Sequence, residues 1–240
     1  MFIKNNIKRR SLIIYFLIFI VILAVSLYFS FNFPKKSSDI NLDFEQEQII
    51  EEKPKLSCKE KLDEYRVQYN NYDIVAEVEV VGTTIKSIVT QTGDNEFYLN
   101  HSLSKEYDPV GVVFMDYRVN INSRKILLYG HNSQTIDTVF HRLENYLNKD
   151  FYDLHPNITL YTDEDTFLYK IFSVMIVVND YQYFLTDFTD EMWLPHLNNL
   201  KSRSIYDTGV SLDKDDEVLI LQTCFYNPMN SYLVISAKKI

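Results

Sequence analysis

Apolar residues follow two patterns along the chain: one long unbroken run near the N-terminus, and many short runs after residue 73. The short runs are rich in β-branched and aromatic residues and alternate with turn-rich pieces, which is typical of strands. They predict strands at residues 74–80, 110–116, 125–129, 158–162, 167–178, 217–223 and 232–237. Many closely spaced strands with few helices favour a closed or nearly closed β-barrel.

Three segments have helical periodicity instead. Residues 56–70 are predicted to form an amphipathic helix ahead of the first strand. Residues 138–147 place their apolar side chains on one stripe, with Asp137 as the expected N-cap. Residues 189–203 are polar-rich but carry several large apolar residues, and we expect them to form a helix inserted between strands.

The N-terminal apolar run predicts a membrane anchor. No charged residue occurs between Arg10 and Lys35, and a helix over 11–33, rising ~1.5 Å per residue, spans the roughly 30 Å hydrocarbon core. The alternative is a cleaved secretory signal, whose apolar region is roughly 7 to 15 residues long and ends at a small-residue cleavage site. This run is longer and has no clear site of that kind, so an uncleaved signal-anchor is favoured.

The distribution of charge predicts how the anchor is oriented. Four basic residues precede the apolar run, whereas only two closely follow it, and basic residues favour the cytoplasmic side. We therefore expect residues 1–10 to be a cytoplasmic n-region and 34–55 a polar stalk. The domain at 56–240 is then extracellular on a single-pass protein of the cell membrane.

Outside its N-terminus the chain is acidic. The formal net charge is −9, although residues 1–36 contain six basic residues and no acidic one. Nucleic acid is therefore not an expected partner, because binding phosphates requires clustered Lys and Arg. The histidines lack HExxH spacing and there is no CxxC pair, so no metal site is predicted.

The chain has two cysteines, Cys58 and Cys224. A disulfide between them is one interpretation for an extracellular domain. However, Cys224 ends an apolar strand and opens a loop, which is where a nucleophile gains rigid support and access to substrate. A buried core cysteine is the third interpretation, and position alone leaves all three open.

A catalytic thiol needs a base or cation close by, and the chain has five histidines. His131 directly follows a predicted strand and Gly130, in the run KILLYGHN, so it too is presented at a strand end. The other four lie in helices, turns or polar stretches. His131 is the preferred partner of Cys224, with a purely structural histidine as the alternative.

Two motifs in this chain resemble the signatures of a known family. LLYGHN (127–132) and LQTC (221–224) are similar to the His and Cys motifs of sortases, and they occur in the same order. Residues 97–118 and 202–224 resemble the corresponding segments of class B sortases. The similarity runs through 56–240, and the chain is identified as a member of that class.

The resemblance implies an eight-stranded sortase β-barrel with an N-terminal helical extension and a helical insert. It implies that Cys224 is the nucleophile and His131 its acid/base partner. The implied reaction cleaves an NPxT-like sorting signal after Thr, forms a thioacyl enzyme and transfers the protein to a peptidoglycan amine. Partners would be secreted proteins with a C-terminal sorting signal and the cell-wall amine, and no cofactor is expected.

The chain departs from the family at one position. Sortases carry an Arg at the start of the strand after the Cys, where it contacts substrate and steadies the oxyanion, and here Tyr232 occupies that place. Tyr232 and Thr223 are the predicted substrate or oxyanion contacts, but Tyr supplies no positive charge. We expect a slower enzyme or a substitute cation, Arg118 or Arg124. The alternative is a catalytically weakened barrel that binds wall proteins or peptides.

Overall fold

The computed structural model describes residues 20–22, 56–180 and 182–240. The chain divides into two units, Met1–Glu52 and Lys53–Ile240. Residues 20–22 of the first unit are described and are helical. The predicted n-region, the rest of the anchor and the stalk lie outside the described residues. Within the described part, no helix is both long and apolar enough to cross a membrane.

The second unit is built around a closed barrel of eight strands, counted over the described residues. They are β1 (Ile74–Val80), β2 (Lys86–Thr90), β3 (Val113–Met115), β4 (Lys125–Tyr129), β5 (Asn157–Thr162), β6 (Thr166–Val178), β7 (Val218–Phe225) and β8 (Ser231–Lys239). The strand order is β1-β2-β3-β4-β7-β8-β6-β5, and pairing of β1 with β5 closes the barrel. The eight-stranded fold is therefore confirmed.

The strand pattern missed β2 and overestimated β3. In β2 the last two residues are buried and the first is exposed, so its apolar signal is too weak to identify a strand. A tight turn determines it instead, with the Val80 amide bonded to the Ile85 carbonyl at 2.8 Å. The predicted strand 110–116 shrinks to β3 because Gly111 has a positive φ of 58°, which breaks the extended backbone.

The helical predictions hold at two of three places. Helix α1 (Cys58–Tyr69) begins with a capping box formed by Ser57 and Glu60, and α3 (Asp190–Ser202) is the expected insert. The segment predicted at 138–147 is a 3-10 helix, Val139–Leu147, which begins after Thr138 rather than Asp137. The Asp137 carboxylate instead pairs with Arg142. A short helix that the pattern missed, α2 (Lys149–Leu154), follows.

The core lies inside the barrel, and the two strands that lead to His131 and Cys224 each contribute a continuous buried run to it. All five residues of β4 are buried, as are the first four of β7. The two strands run parallel, and parallel strands covered on both faces have unbroken apolar sequences. Their inward packing determines where each strand ends, and these ends carry His131 and Cys224.

Helix α1 is fastened to the barrel by a buried carboxylate on β1. The Glu77 side chain is 2% exposed and accepts hydrogen bonds from Lys61 at 2.6 Å and the Tyr65 hydroxyl at 2.8 Å, both on α1. Lys86 on β2 lies 3.1 Å away. Burial alone would raise the pKa of Glu77, but these hydrogen bonds outweigh it and lower the pKa.

A Glu77→Gln variant tests this attachment. Because the folded-state pKa is lowered, the carboxylate stabilises the fold at neutral pH, and this contribution disappears as the pH falls through that pKa. We expect the free energy of unfolding at pH 7 to fall by about 1–3 kcal/mol, and less at pH 3, measured by denaturant titration. Glu79→Gln, at a more exposed carboxylate, is the control. Equal losses at both pH values would contradict the ionic attachment.

Candidate active site

The ends of β4 and β7 bring two candidate catalytic side chains together. In this parallel pair Tyr129 lies opposite Gln222, and the amide of Gly130 continues the pairing with a 3.2 Å bond to the Gln222 carbonyl. Two residues beyond Tyr129 and Gln222 are His131 and Cys224, on the same face because side chains alternate along a strand. Both line a single cavity.

Side-chain hydrogen bonds connect these two strand ends. The Thr223 hydroxyl donates to the Gly130 carbonyl at 2.7 Å, and the Asn132 amide donates to the Cys224 carbonyl at 2.8 Å. The Tyr226 hydroxyl donates to the Asn132 carbonyl at 2.7 Å. His131 and Cys224 therefore project from backbone that is bonded on both sides of each residue.

Thr223 is placed differently from the sequence expectation of a substrate contact. It is fully buried, and its hydroxyl is used by Gly130. It also does not line the cavity that contains Cys224, since adjacent residues of a strand face opposite sides. Its observed role is to join the two strand ends, and a substrate contact remains a prediction.

Both cysteines are free thiols. The disulfide interpretation is therefore wrong, and Cys58 contacts Thr166, with 3.0 Å between its sulfur and the threonine hydroxyl. Cys224 is exposed at the cavity, which excludes a buried core cysteine. Its thiol nevertheless rests on apolar walls, and this partial burial raises its pKa.

A backbone carbonyl orients the His131 imidazole. Nε2 lies 2.5 Å from the carbonyl oxygen of Leu99, in the short 3-10 helix Phe97–Leu99. A carbonyl only accepts hydrogen bonds, so Nε2 donates to it, and Nδ1 is the ring nitrogen that this contact leaves unused. Sequence patterns did not identify Leu99, because a backbone group has no residue-type signal.

The other four histidines lie outside this cavity. His101 stacks on Phe97 with ring centroids 4.0 Å apart, and His155 Nδ1 lies 3.2 Å from the Val81 carbonyl. His141 Nδ1 lies 2.6 Å from the Asn132 side chain. His196 is buried. Of the five, His131 lines the cavity with Cys224.

The cavity has a volume of about 450 Å³ and mainly aromatic walls. The aromatic side chains that line it are Phe114, Tyr129, Tyr183, Phe184 and Tyr232, and the polar ones include Asn95 and Gln222. An apolar cleft with a few polar groups is typical of a site that binds an organic ligand or peptide segment. Asn95 and Gln222 were not singled out by the sequence, since a turn Asn and a strand Gln are common.

Tyr232 lies directly opposite Cys224 in the β7–β8 pairing and lines the cavity, but no Lys or Arg does so within the described residues. Arg118 binds Asp116 at 2.9 and 2.6 Å. Arg124 donates to Asp190 at 3.1 Å. Neither of the two candidate substitute cations therefore reaches the reacting groups in this structure.

A free thiol and an oriented imidazole lie at neighbouring strand ends of the closed barrel. This arrangement is typical of cysteine enzymes. Residues 77–240 match the sortase domain family. The chain belongs to this family as a class B sortase, a cysteine transpeptidase.

The relatives support this assignment by sequence and by structure. Sortase B of Listeria monocytogenes is 31% identical over 167 residues, covering 68% of this chain and 67% of the relative. Sortase B of Staphylococcus aureus is 31% identical over 176 residues, 71% of each chain. The X-ray structure of Clostridium perfringens sortase B is similar with a TM-score of 0.69 and 30% identity, covering 74% of this chain and 98% of that one.

Gly111 controls how closely the Leu99 carbonyl approaches His131. Its φ is +58°, and a Cβ added there would lie 2.6 Å from the Leu99 carbonyl oxygen and 2.5 Å from that of Tyr98. Both distances are too short for a real contact, so a side chain at this position must push the 98–99 backbone. The carbonyl that orients His131 would move with it.

A Gly111→Ala variant is therefore expected to lose activity on the order of 10- to 100-fold, because small misplacements of a catalytic group are costly. The measurement is the steady-state rate of peptide cleavage. Gly209→Ala is the matched control: Gly209 has a similar φ of +69°, but an added Cβ meets no atom within 4 Å. It shares the backbone strain without moving Leu99, so equal losses in both variants would contradict the proposed link.

Proposed function

We propose that this sortase cleaves an NPxT-like sorting signal after Thr and joins the protein to a peptidoglycan amine through a thioacyl intermediate on Cys224. The observation that carries the proposal is the parallel register of β4 and β7, which puts Cys224 and His131 at one cavity. The aromatic walls suit the side chains of a short extended peptide.

The first step acylates the enzyme. The Cys224 thiolate attacks the Thr carbonyl carbon, a C–S bond forms, and the peptide C–N bond breaks. His131, in its imidazolium form, gives the Nδ1 proton to the departing amine. The Leu99 carbonyl holds Nε2 of the same ring, which leaves Nδ1 for this transfer.

The second step transfers the acyl group. The acceptor amine attacks the thioester carbonyl, the new amide bond forms, and the C–S bond breaks to regenerate the thiolate. His131 takes the proton that the attacking nitrogen loses. Related structures are compatible with two such substrates: one is a substrate complex of Staphylococcus aureus sortase B, and another is a sortase B complexed with triglycine.

We also propose that residues 11–33 anchor the protein in the cell membrane with its N-terminus in the cytoplasm. The support is the uncharged apolar run and the four basic residues before it. The catalytic domain is then extracellular, where secreted proteins and cell-wall amines meet it.

Trapping the intermediate tests the reaction. We expect the full chain, incubated with a library of sorting-signal peptides, to gain the mass of the acyl fragment on Cys224 when NPxT-like sequences are present. Cys224→Ala should abolish the adduct, and Cys58→Ser, the control for the second thiol, should retain it. Absence of any thioester with every peptide in the library would rule out the proposed chemistry.

A second candidate function is a weakened barrel that holds wall proteins or peptides without efficient turnover. It is favoured by one specific combination of observations. No Lys or Arg of the described residues lines the cavity, and burial raises the pKa of the Cys224 thiol. Both disfavour the thiolate and leave the developing oxyanion without a cation.

Tyr232→Arg separates slow catalysis from pure binding. A guanidinium opposite Cys224 should lower the thiol pKa, so alkylation by iodoacetamide in a Cys58→Ser background should reach half its maximal rate at a lower pH. The acylation rate should rise on the order of 10²-fold, since an oxyanion contact is typically worth 10² to 10³. Tyr232→Gln, which is uncharged, is the control. Unchanged or lower transpeptidation by the Arg variant would contradict the missing-charge explanation.

A further inference from the structure

One wall of the cavity is formed by a segment with little internal support. Tyr183 and Phe184 line the cavity and belong to a 3-10 helix of three residues, Gln182–Phe184. A backbone hydrogen bond runs from the Leu185 amide to the Gln182 carbonyl at 3.3 Å. So short a helix cannot hold itself in place, and its last carbonyls need partners elsewhere.

Two cationic side chains supply those partners. Lys125 Nζ donates to the carbonyls of Tyr183 at 2.6 Å and Leu185 at 2.7 Å. Arg118 donates to the intervening carbonyl of Phe184 at 3.1 Å. Three consecutive carbonyls are therefore bound by two basic side chains. We call Lys125 and Arg118 the carbonyl clamp.

Lys125 is buried in a way that lysines rarely are. It is 2% exposed and begins β4, the strand that leads to His131. Its amine also lies 3.0 Å from His196 Nε2 and 5.1 Å from the ring centroid of Phe188. Burying an amine is costly unless it is fully hydrogen-bonded, and here each of its three donor positions has a partner.

Arg118 connects the same wall to the neighbouring one. Its guanidinium binds both oxygens of Asp116, which is fully buried, and stacks on the Phe184 ring at 4.1 Å from the centroid. The Tyr129 hydroxyl donates to the same carboxylate at 2.6 Å. Tyr129 also lines the cavity, so one ionic group ties two aromatic walls together.

We propose that Lys125 and Arg118 are positioning residues for the sorting signal: they hold Tyr183 and Phe184 at the distance from Cys224 that the bound peptide requires. The inference rests on the proposed function, in which this cavity binds the part of the peptide that precedes the attacked carbonyl. Neither residue lines the cavity. Both act through the backbone of the wall, and Arg118 also acts through its contact with the Phe184 ring.

The hydrogen bonds of the carbonyl clamp can form whether Lys125 is charged or neutral. Burial is the main cause that lowers the pKa of Lys125 to about 7, the nearby Arg118 adds to this effect, and Asp116 opposes it. Burial and the neighbouring Lys125 lower the pKa of His196 to about 3, so that ring is neutral. An ammonium donates to both carbonyls and to His196. A neutral amine keeps two N–H groups for the carbonyls and accepts the ring proton instead.

Lys125→Met tests the clamp, because it keeps the length and loses every donor. We expect the KM for an NPxT-like peptide to rise roughly 10-fold, as expected from the loss of a charge-assisted hydrogen bond, with a much smaller change in kcat. Alkylation of Cys224 by iodoacetamide, which needs no peptide wall, should keep its rate. Lys201→Met is the matched control, since that amine donates to the Val210 carbonyl at 2.6 Å and neither residue lines the cavity.

Arg118→Lys gives an independent test if Lys125→Met does not fold. The variant keeps the positive charge but loses the bidentate contact with Asp116. We expect the KM for the NPxT-like peptide to rise a few-fold. Hydrogen exchange at residues 182–185 should become faster. Arg66→Lys is its control, because Arg66 binds Asp163 and the Ile74 carbonyl in the same manner and neither it nor these partners line the cavity.

The outcomes separate the two proposals. If the wild type is acylated by the peptide and the clamp variants keep its KM, the proposed positioning role of Lys125 and Arg118 is wrong and the proposed function stands. If KM rises equally in Lys201→Met or Arg66→Lys, a general loss of stability explains the effect and the clamp is again wrong. If wild type forms no thioester with any peptide, both proposals fail together.

Discussion

The parallel pairing of β4 with β7 is the constraint on which the active site depends. Both strands are buried, so their register is set by packing inside the barrel. A shift of one residue would exchange the faces of every side chain. Thr223 would then face the cavity, and Cys224 would face away from it. The Thr223–Gly130 and Asn132–Cys224 hydrogen bonds also fix this register. They join the end of β7 to the residues that directly follow β4.

The barrel strands place the two candidate catalytic side chains, His131 and Cys224, at one cavity, whereas short irregular segments supply their surroundings. The Leu99 carbonyl orients His131 from a three-residue 3-10 helix, and another three-residue helix forms the wall at Tyr183 and Phe184. Each is held by something outside itself: the first by the close approach that Gly111 permits, the second by Lys125 and Arg118. In many proteins a rigid scaffold positions loops that carry the binding residues, so the loops can differ while the scaffold stays the same.

Charge is distributed around the site and does not enter it. In the described residues, the cations nearest the cavity walls are bound to carbonyls or to the buried Asp116. The thiol of Cys224 is left with a raised pKa and with Tyr232 opposite it. Among the described residues, the cavity therefore has the candidate nucleophile, the candidate base and Tyr232 in its lining, and no Lys or Arg.

Local pattern was enough to find the elements with strong apolar runs, whereas the resemblance of two motifs to those of sortases was needed to select His131 and Cys224 as the candidate catalytic pair. Four of the five residues of β4 and the first four of β7 are apolar. His131 follows the first strand and Cys224 lies near the end of the second, which made both residues candidates. Only the tertiary structure decided that the two cysteines are unlinked and that β2 exists. It also placed the Leu99 carbonyl against His131, and Lys125 against the carbonyls of Tyr183 and Leu185. Gly130 and Thr223, which join the strand ends, are 93 residues apart. Contacts of that kind, and contacts made by backbone carbonyls, depend on how distant segments pack, which periodicity and residue type do not encode.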